Sequence, residues 1–271
     1  MPLLAVTYLK GRPGVTTTAL GLAIAAPVEA RATVVECDPA GGDVMRRLHL
    51  AATPSLVDVA AAARGATDAD TAFAAGVQPV TVGNVVVSVV AAPAGGGQTR
   101  AALPELTGTG RAALTAPDRL VVADCGRLSA GAAAWPLLGL ADVVLVMARA
   151  RADELAHVRE SLAELVDVCG GRLVVLLAAG GVYPAAEVAQ VLQTYVAEEL
   201  ARHPSAVEVL GPLPDDRKTA ALLGGELLAG KRWRHLPLMR AYAALLDDLN
   251  TDLTVTPPAG FDPATREGAK G

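Results

Sequence analysis

The sequence predicts an α/β fold: a doubly wound, mostly parallel sheet flanked by helices. Three observations carry that expectation. Short, near-continuous apolar runs recur at residues 3–8, 141–147 and 173–177, the signature of strands buried on both faces of a parallel sheet. Amphipathic stretches separate such runs, as at 153–169, where Leu155, Val158, Leu162, Leu165 and Val166 share one side. Carboxylates close two further apolar stretches, Asp38 after residues 31–37 and Asp124 after 119–123, at strand ends where open sheets of this class bind ligands.

The totals narrow the class. With 271 residues and 52% apolar content, the chain can bury a large core, and we expect one domain over residues 1–250 followed by a disordered polar tail at 251–271. Aromatic residues make up only 3%, so the core should be built from small aliphatic side chains. A net charge of −5 argues against coating nucleic acid by bulk charge. Cys37, Cys125 and Cys169 form no C-x-x-C pair, so neither a zinc site nor a disulfide framework is expected. No apolar stretch reaches the roughly 18 residues of a membrane span. These features predict a cytoplasmic protein without membrane insertion.

The first element is strand, loop, helix. The run from Leu3 to Tyr8 is broken by Gly11, Pro13 and Gly14, after which Ala19, Leu20, Leu22, Ala23 and Ala26 recur at helical spacing. A glycine-rich turn feeding a helix start aims unpaired N–H groups at one point, where the helix dipole favours negative charge. It is a phosphate cradle. A P-loop closes on G-K-[ST], but here the sequence is Gly14-Val15-Thr16. The hydroxyl is present and the lysine is absent.

The segment Lys10-Gly11-Arg12-Pro13-Gly14-Val15-Thr16-Thr17 resembles the deviant Walker A motif, K-G-G-x-G-K-[ST]-[ST], of the MinD/ParA-like ATPases. The resemblance implies a P-loop fold of that type binding ATP or ADP with Mg²⁺ through Gly11, Arg12, Gly14, Thr16 and Thr17. It also implies that Lys10 is a catalytic residue acting across a homodimer, and that Thr16 ligates the metal. Two departures stand out: Val15 occupies the lysine position and Arg12 replaces a glycine.

Residues 31–43 read as a second strand ending in an acidic, glycine-rich turn. They are similar to the family's D-x-D-P-x-G segment, with Glu36 and Asp38 at the acidic positions. The resemblance places Asp38 beside the metal and the attacking water. Ser55-Leu56-Val57-Asp58 has capping-box spacing and opens a helix closing near Gly65, and residues 66–76 predict another. Residues 77–90 are rich in β-branched side chains and interrupted at Gly83-Asn84, which leaves a pair of strands or one strand with an extended lead-in. Residues 91–97 form a flexible loop, and 98–114 predict a helix containing Pro104 and Gly108.

Residues 119–126 predict a strand ending at Asp124, which resembles the family's Walker B aspartate and a metal partner. Cys125 reads as a buried, inert thiol. Strands follow at 141–147 and 173–177, with the helix at 153–169 between them. Where the family runs into an asparagine that reads adenine, Ala178-Ala179-Gly180-Gly181 follows. A helix from Pro184 to about residue 202 comes next, and residues 207–216 resemble the last core strand and base-side loop, assigning Pro212, Pro214 and Asp215 to the nucleotide. The one dense basic cluster, Lys231-Arg232-Trp233-Arg234-His235, fits a solvated turn or a grip on DNA through Lys231, Arg232 and Arg234. A last helix carries Leu238, Tyr242, Leu245, Leu246 and Leu249.

The missing lysine shapes the functional expectation. Losing one charge-assisted phosphate contact costs about 1.5–3 kcal/mol, whereas a cation aimed at the transition state supplies about 10³ to 10⁵ in rate. Arg12 either replaces that charge or obstructs the cradle. The leading expectation is a MinD/ParA-like pseudo-ATPase that positions or scaffolds a bacterial assembly such as a septum, chromosome, pilus or secretion system through a protein partner. The competing expectations are an active ATPase using Lys10 and Arg12, cycling between monomer and ATP-bound dimer, and a DNA-binding partition protein.

Overall fold

The computed structural model describes residues 2–65 and 68–249. The expected tail at 251–271 lies outside the described residues. Eight strands, β1 (Leu3–Tyr8), β2 (Thr33–Glu36), β3 (Gln78–Val82), β4 (Val85–Val90), β5 (Val121–Arg127), β6 (Val143–Arg149), β7 (Arg172–Ala178) and β8 (Glu208–Leu210), form one sheet in the order β3-β4-β2-β5-β1-β6-β7-β8. Only β3 runs antiparallel to its neighbour; the other pairings are parallel. The helices are α1 (Val15–Ala25), α2 (Val44–Arg47), α3 (Leu56–Ala63), α4 (Ala69–Ala74), α5 (Gly97–Thr107), α6 (Trp135–Leu138), α7 (Ala152–Val168), α8 (Ala185–Glu198), α9 (Arg217–Leu223) and α10 (Pro237–Leu249).

Alternation along each strand sorts the core into two layers. Leu3, Ala5, Val121, Ala123, Val144 and Val146 face one side, which α3 to α8 cover. Leu4, Val6, Val122, Val143 and Leu145 face the other, beneath α1, α9 and α10. The strands are therefore apolar throughout, because both faces are buried. Glycine at position 21 of α1 lets the second layer close: a Cβ there would run into the Tyr242 ring of α10. The Tyr242 hydroxyl sits 3.2 Å from Thr18 Oγ1 in the following link between the two helices.

Local signals account for the element ends. The capping box of α3 is formed, with Ser55 N–H donating to Asp58 Oδ2 at 2.7 Å and Val57 N–H to Ser55 Oγ at 3.3 Å. Residues 77–90 are two strands, β3 and β4, joined at Gly83-Asn84 with Val82 opposite Val85. The expected helix at 98–114 stops at Thr107 instead, because the Gly108 N–H turns back to the Pro104 and Glu105 carbonyls. A separate 3₁₀ turn then covers Arg111–Ala113. Helix α8 ends at Glu198 rather than near 202, since Ala201 adopts a left-handed conformation with φ 50° and Pro204 disfavours helical geometry at the residue before it. The loop at 91–97, expected to be flexible, is stitched to the acidic turn: Gly42 N–H donates to the Pro93 carbonyl at 3.2 Å.

Candidate phosphate-binding site

The loop between β1 and α1 turns on two glycines, Gly11 with φ 81° and Gly14 with φ 96°, a region that side-chain-bearing residues avoid. Gly14 is the N-cap of α1; no side chain caps the helix there and no acidic residue occupies its first turn. The first-turn N–H groups and the positive end of the dipole are thus presented to the cavity above. That cavity, of about 340 Å³, is lined by Arg12, Gly14, Thr16, Thr17, Asp38 and Arg47, among others. Of the sequence-predicted phosphate and metal residues, Arg12, Gly14, Thr16, Thr17 and Asp38 line it.

Asp124 lies beneath the cavity, fully buried, and accepts a hydrogen bond from the Thr16 side chain. It also accepts from the Gly126 N–H at 3.0 Å. Burial pushes its carboxyl up to about 6, against the pull of those hydrogen bonds and of the Arg47 charge. Asp38 is held beside it: its Oδ1 accepts from Ala40 N–H at 2.8 Å, and its carboxylate packs so closely on Gly126 that a Cβ there would collide with it. Burial likewise raises the Asp38 carboxyl above the usual aspartate range.

Glu36 occupies the other acidic position and does a different job. It is buried and accepts from the N–H groups of Asp43 and Val44 at 2.8 Å each and of Ala92 at 2.9 Å. One carboxylate thereby joins the acidic turn, the start of α2 and the loop after β4. Burial raises it to about 7, opposed by those backbone hydrogen bonds.

Two guanidinium groups hold the phosphate loop by its carbonyls. Arg127 Nε donates to Leu9 O at 3.0 Å, and Arg149 Nη2 donates to Arg12 O at 3.0 Å. Arg149 is fixed in turn by buried Glu154, which accepts from its N–H at 2.7 Å and from Nη1 at 3.1 Å. Gly11 rests on that carboxylate: a Cβ there would lie 2.6 Å from Glu154 Oε1.

Val15 is buried in the second core layer and also borders the cavity, so an apolar side chain stands at the lysine position. Not every expected residue reaches the cavity. Lys10 is exposed, and neither it nor Gly11 lines the cavity. Pro214 and Asp215 line an adjoining cavity of about 200 Å³ together with Thr17 and Arg149, whereas Pro212 does not. Lys231, Arg232 and Arg234 are exposed, but Trp233 between them is buried, donating from Nε1 to Asn84 Oδ1 at 3.0 Å. The cluster therefore presents cations without an aromatic stacking face. Sequence reasoning missed Arg47, Arg127, Arg149 and Glu154.

The donor set fits a hydrated Mg²⁺ better than a closed metal cage. Among the described residues no group of three or more His, Cys, Asp or Glu is placed to hold a metal ion. A hydroxyl and two carboxylates beside an anion-binding helix start suit an ion that keeps waters and takes phosphate oxygens. No helix among the described residues is long and apolar enough to cross a membrane.

No family model and no curated protein matches the sequence. Solved structures do match. The cell division ATPase MinD of Pyrococcus furiosus superposes with a TM-score of 0.68 at 16% identity, covering 92% of this chain and 98% of that one. A Cyanothece McdA complexed with ATP gives 0.64 at 14%, covering 92% and 96%. Cobyrinic acid a,c-diamide synthase of Mycobacterium smegmatis, with an ATP analogue and magnesium bound, gives 0.59 at 18%, covering 96% and 100%. Identities this low speak to architecture, and the architecture is plain: the chain has the fold of the MinD/ParA P-loop ATPases.

Proposed function

We propose that this chain is a MinD/ParA-like pseudo-ATPase: it binds adenine nucleotide with Mg²⁺ weakly at the β1–α1 loop, hydrolyses it negligibly, and positions or scaffolds a bacterial assembly in the cytoplasm. The observation that carries the reading is a contrast within one loop. Thr16 and Asp38 line the cavity and Asp124 meets the Thr16 side chain, which supports a nucleotide-bound metal there, while apolar Val15 stands at the position of the phosphate-gripping lysine.

Thr16, Asp38 and Asp124 would hold Mg²⁺, which when bound neutralises phosphate charge. The first-turn N–H groups of α1 bind the phosphates, and Pro214 and Asp215 flank the base side. Asp38, fixed by Ala40 and Gly126, is placed to orient a water. Without the lysine, binding weakens by about one to two decades, and turnover loses the larger share because phosphoryl transfer rests on charge stabilisation. Lys10, exposed outside the cavity, suits a residue that meets a second copy. The positioning role follows the septum site-determining MinD of Pyrococcus horikoshii, whose fold this chain shares.

An active ATPase is the competing reading, favoured by two arginines, Arg12 and Arg47, on the cavity wall. Calorimetric titration with ATP, ADP and Mg²⁺, run beside a phosphate-release assay, separates the two. Binding without release supports the pseudo-ATPase; Mg²⁺-dependent release sinks it. Absence of any binding removes the nucleotide from the proposal.

A further inference from the structure

We infer that Arg47, on α2, supplies the cation that the phosphate loop lacks and grips the outer phosphates of the bound nucleotide. The inference rests on the nucleotide reading above and names the residue that makes it workable. Val15 borders the cavity without a charge, so positive charge there comes from other lining residues. Only Arg12 and Arg47 among the lining residues carry it.

Three features favour Arg47. It lines the cavity together with Thr16 and Asp38, and its charge acts on Asp124, which the Thr16 side chain also meets. Its helix is anchored before any ligand arrives. Asp43 N–H and Val44 N–H are held by Glu36 at 2.8 Å each, and Val44 is fully buried. Its present partner is cheap to give up. Arg47 Nη2 lies 3.2 Å from Asp43 Oδ2, with the two side chains 39% and 71% exposed, and exposed i,i+4 pairs contribute little. A polyphosphate offers the guanidinium more charge and a bidentate fit. Two parallel N–H donors on a helix after β2 would then do what a lysine does from the loop.

The geometry also ties phosphate binding to the acidic turn. Arg47 follows Asp43 and Val44, the end of the acidic turn that Glu36 ties to Ala92. A phosphate drawn to Arg47 is therefore felt by the turn that carries Asp38.

The test is calorimetry on the full chain with Mg·ATP, Mg·ADP and AMP. Arg47→Gln is expected to weaken ATP and ADP about ten- to hundredfold while changing AMP less than about threefold, as loss of a charge-assisted contact beyond the first phosphate requires. Arg46→Gln, its exposed neighbour outside the cavity lining, is expected to leave all three unchanged. A second measurement needs no variant: Mg·ATP should protect Arg47, and not Arg46, from phenylglyoxal, read by peptide mass spectrometry. Wild-type binding that Arg47→Gln leaves intact, equal losses from Arg46→Gln, or modification of Arg47 that ATP does not slow overturns the assignment and leaves the nucleotide site standing. No heat with any nucleotide on the wild-type protein overturns both.

Discussion

Glu154→Ala is the most informative single perturbation of the phosphate loop. Glu154 is buried on α7, far along the chain from the loop that it supports. Removing its carboxylate strips the Arg149 N–H of a partner at 2.7 Å and the Arg149 guanidinium of one at 3.1 Å. An orphaned buried donor costs about 1–3 kcal/mol, and a partly exposed ion pair adds about 1 kcal/mol. The expected loss is about 2–4 kcal/mol, measured as a shift in urea midpoint at unchanged slope. Arg12→Ala supplies the contrast, because Arg149 holds the Arg12 carbonyl and not its side chain. That variant should lose less than about 0.5 kcal/mol, the ordinary range for an exposed substitution. Gly11→Ala should be destabilising on its own, both from its φ of 81° and from collision with Glu154. In the double variant with Glu154→Ala the collision is gone and the two losses should sum to less than their separate values. Strict additivity, or a Glu154→Ala loss below about 0.5 kcal/mol, would refute the idea that this carboxylate props the loop.

Three further outcomes are expected. Val15→Lys should raise Mg·ATP affinity about ten- to hundredfold by restoring the missing contact, at some cost in melting temperature from the buried valine; an unchanged affinity in calorimetry would show that the lysine is not what limits binding. Glu36 has its carboxyl raised to about 7 by burial, above its unfolded value, so its contribution to stability is complete below about pH 4.5 and is lost as pH rises through about 7. Glu36→Gln should therefore narrow the difference in unfolding free energy between pH 5 and pH 8 by about 2–3 kcal/mol, and an undiminished difference contradicts the assignment. Trp233→Phe should lose about 1 kcal/mol with its hydrogen bond to Asn84 in thermal or urea unfolding, without altering salt-sensitive retention on DNA, since the indole is buried; a lost DNA affinity would revive the basic cluster as a nucleic-acid grip.

Much of the fold was legible because its determinants are local. Strands buried on both faces announce themselves as apolar runs, Ser55 and Asp58 announce a helix start, and Gly83-Asn84 marks a break that left a strand pair or a single strand open until the pairing of β3 with β4 decided it. Asp38 and Asp124 were legible as strand-end carboxylates, and the structure brings them to the same cavity region. The supporting residues were not. Glu154 sits in the first turn of an amphipathic helix, where acidic side chains ordinarily face water, and only contact with a loop more than a hundred positions earlier buries it. Arg127 and Arg149 end their strands as solvated cations would, yet each reaches a carbonyl of that loop. Arg47 lies in a four-residue helix too short for any periodic signal. The ends of α5 and α8 were misjudged because a stop at Gly108 and a left-handed Ala201 depend on backbone geometry that composition does not record.

The margins of the sheet bear on how copies of this chain can meet. One edge is β3, a five-residue strand that contains Pro79, and the other is β8, three residues long and followed by Gly211 and Pro212. Short and proline-bearing edges are poor templates for an incoming strand. Growth by strand addition into fibrils is thus discouraged at both edges of the sheet, which leaves loops and helices as the surfaces on which copies could meet.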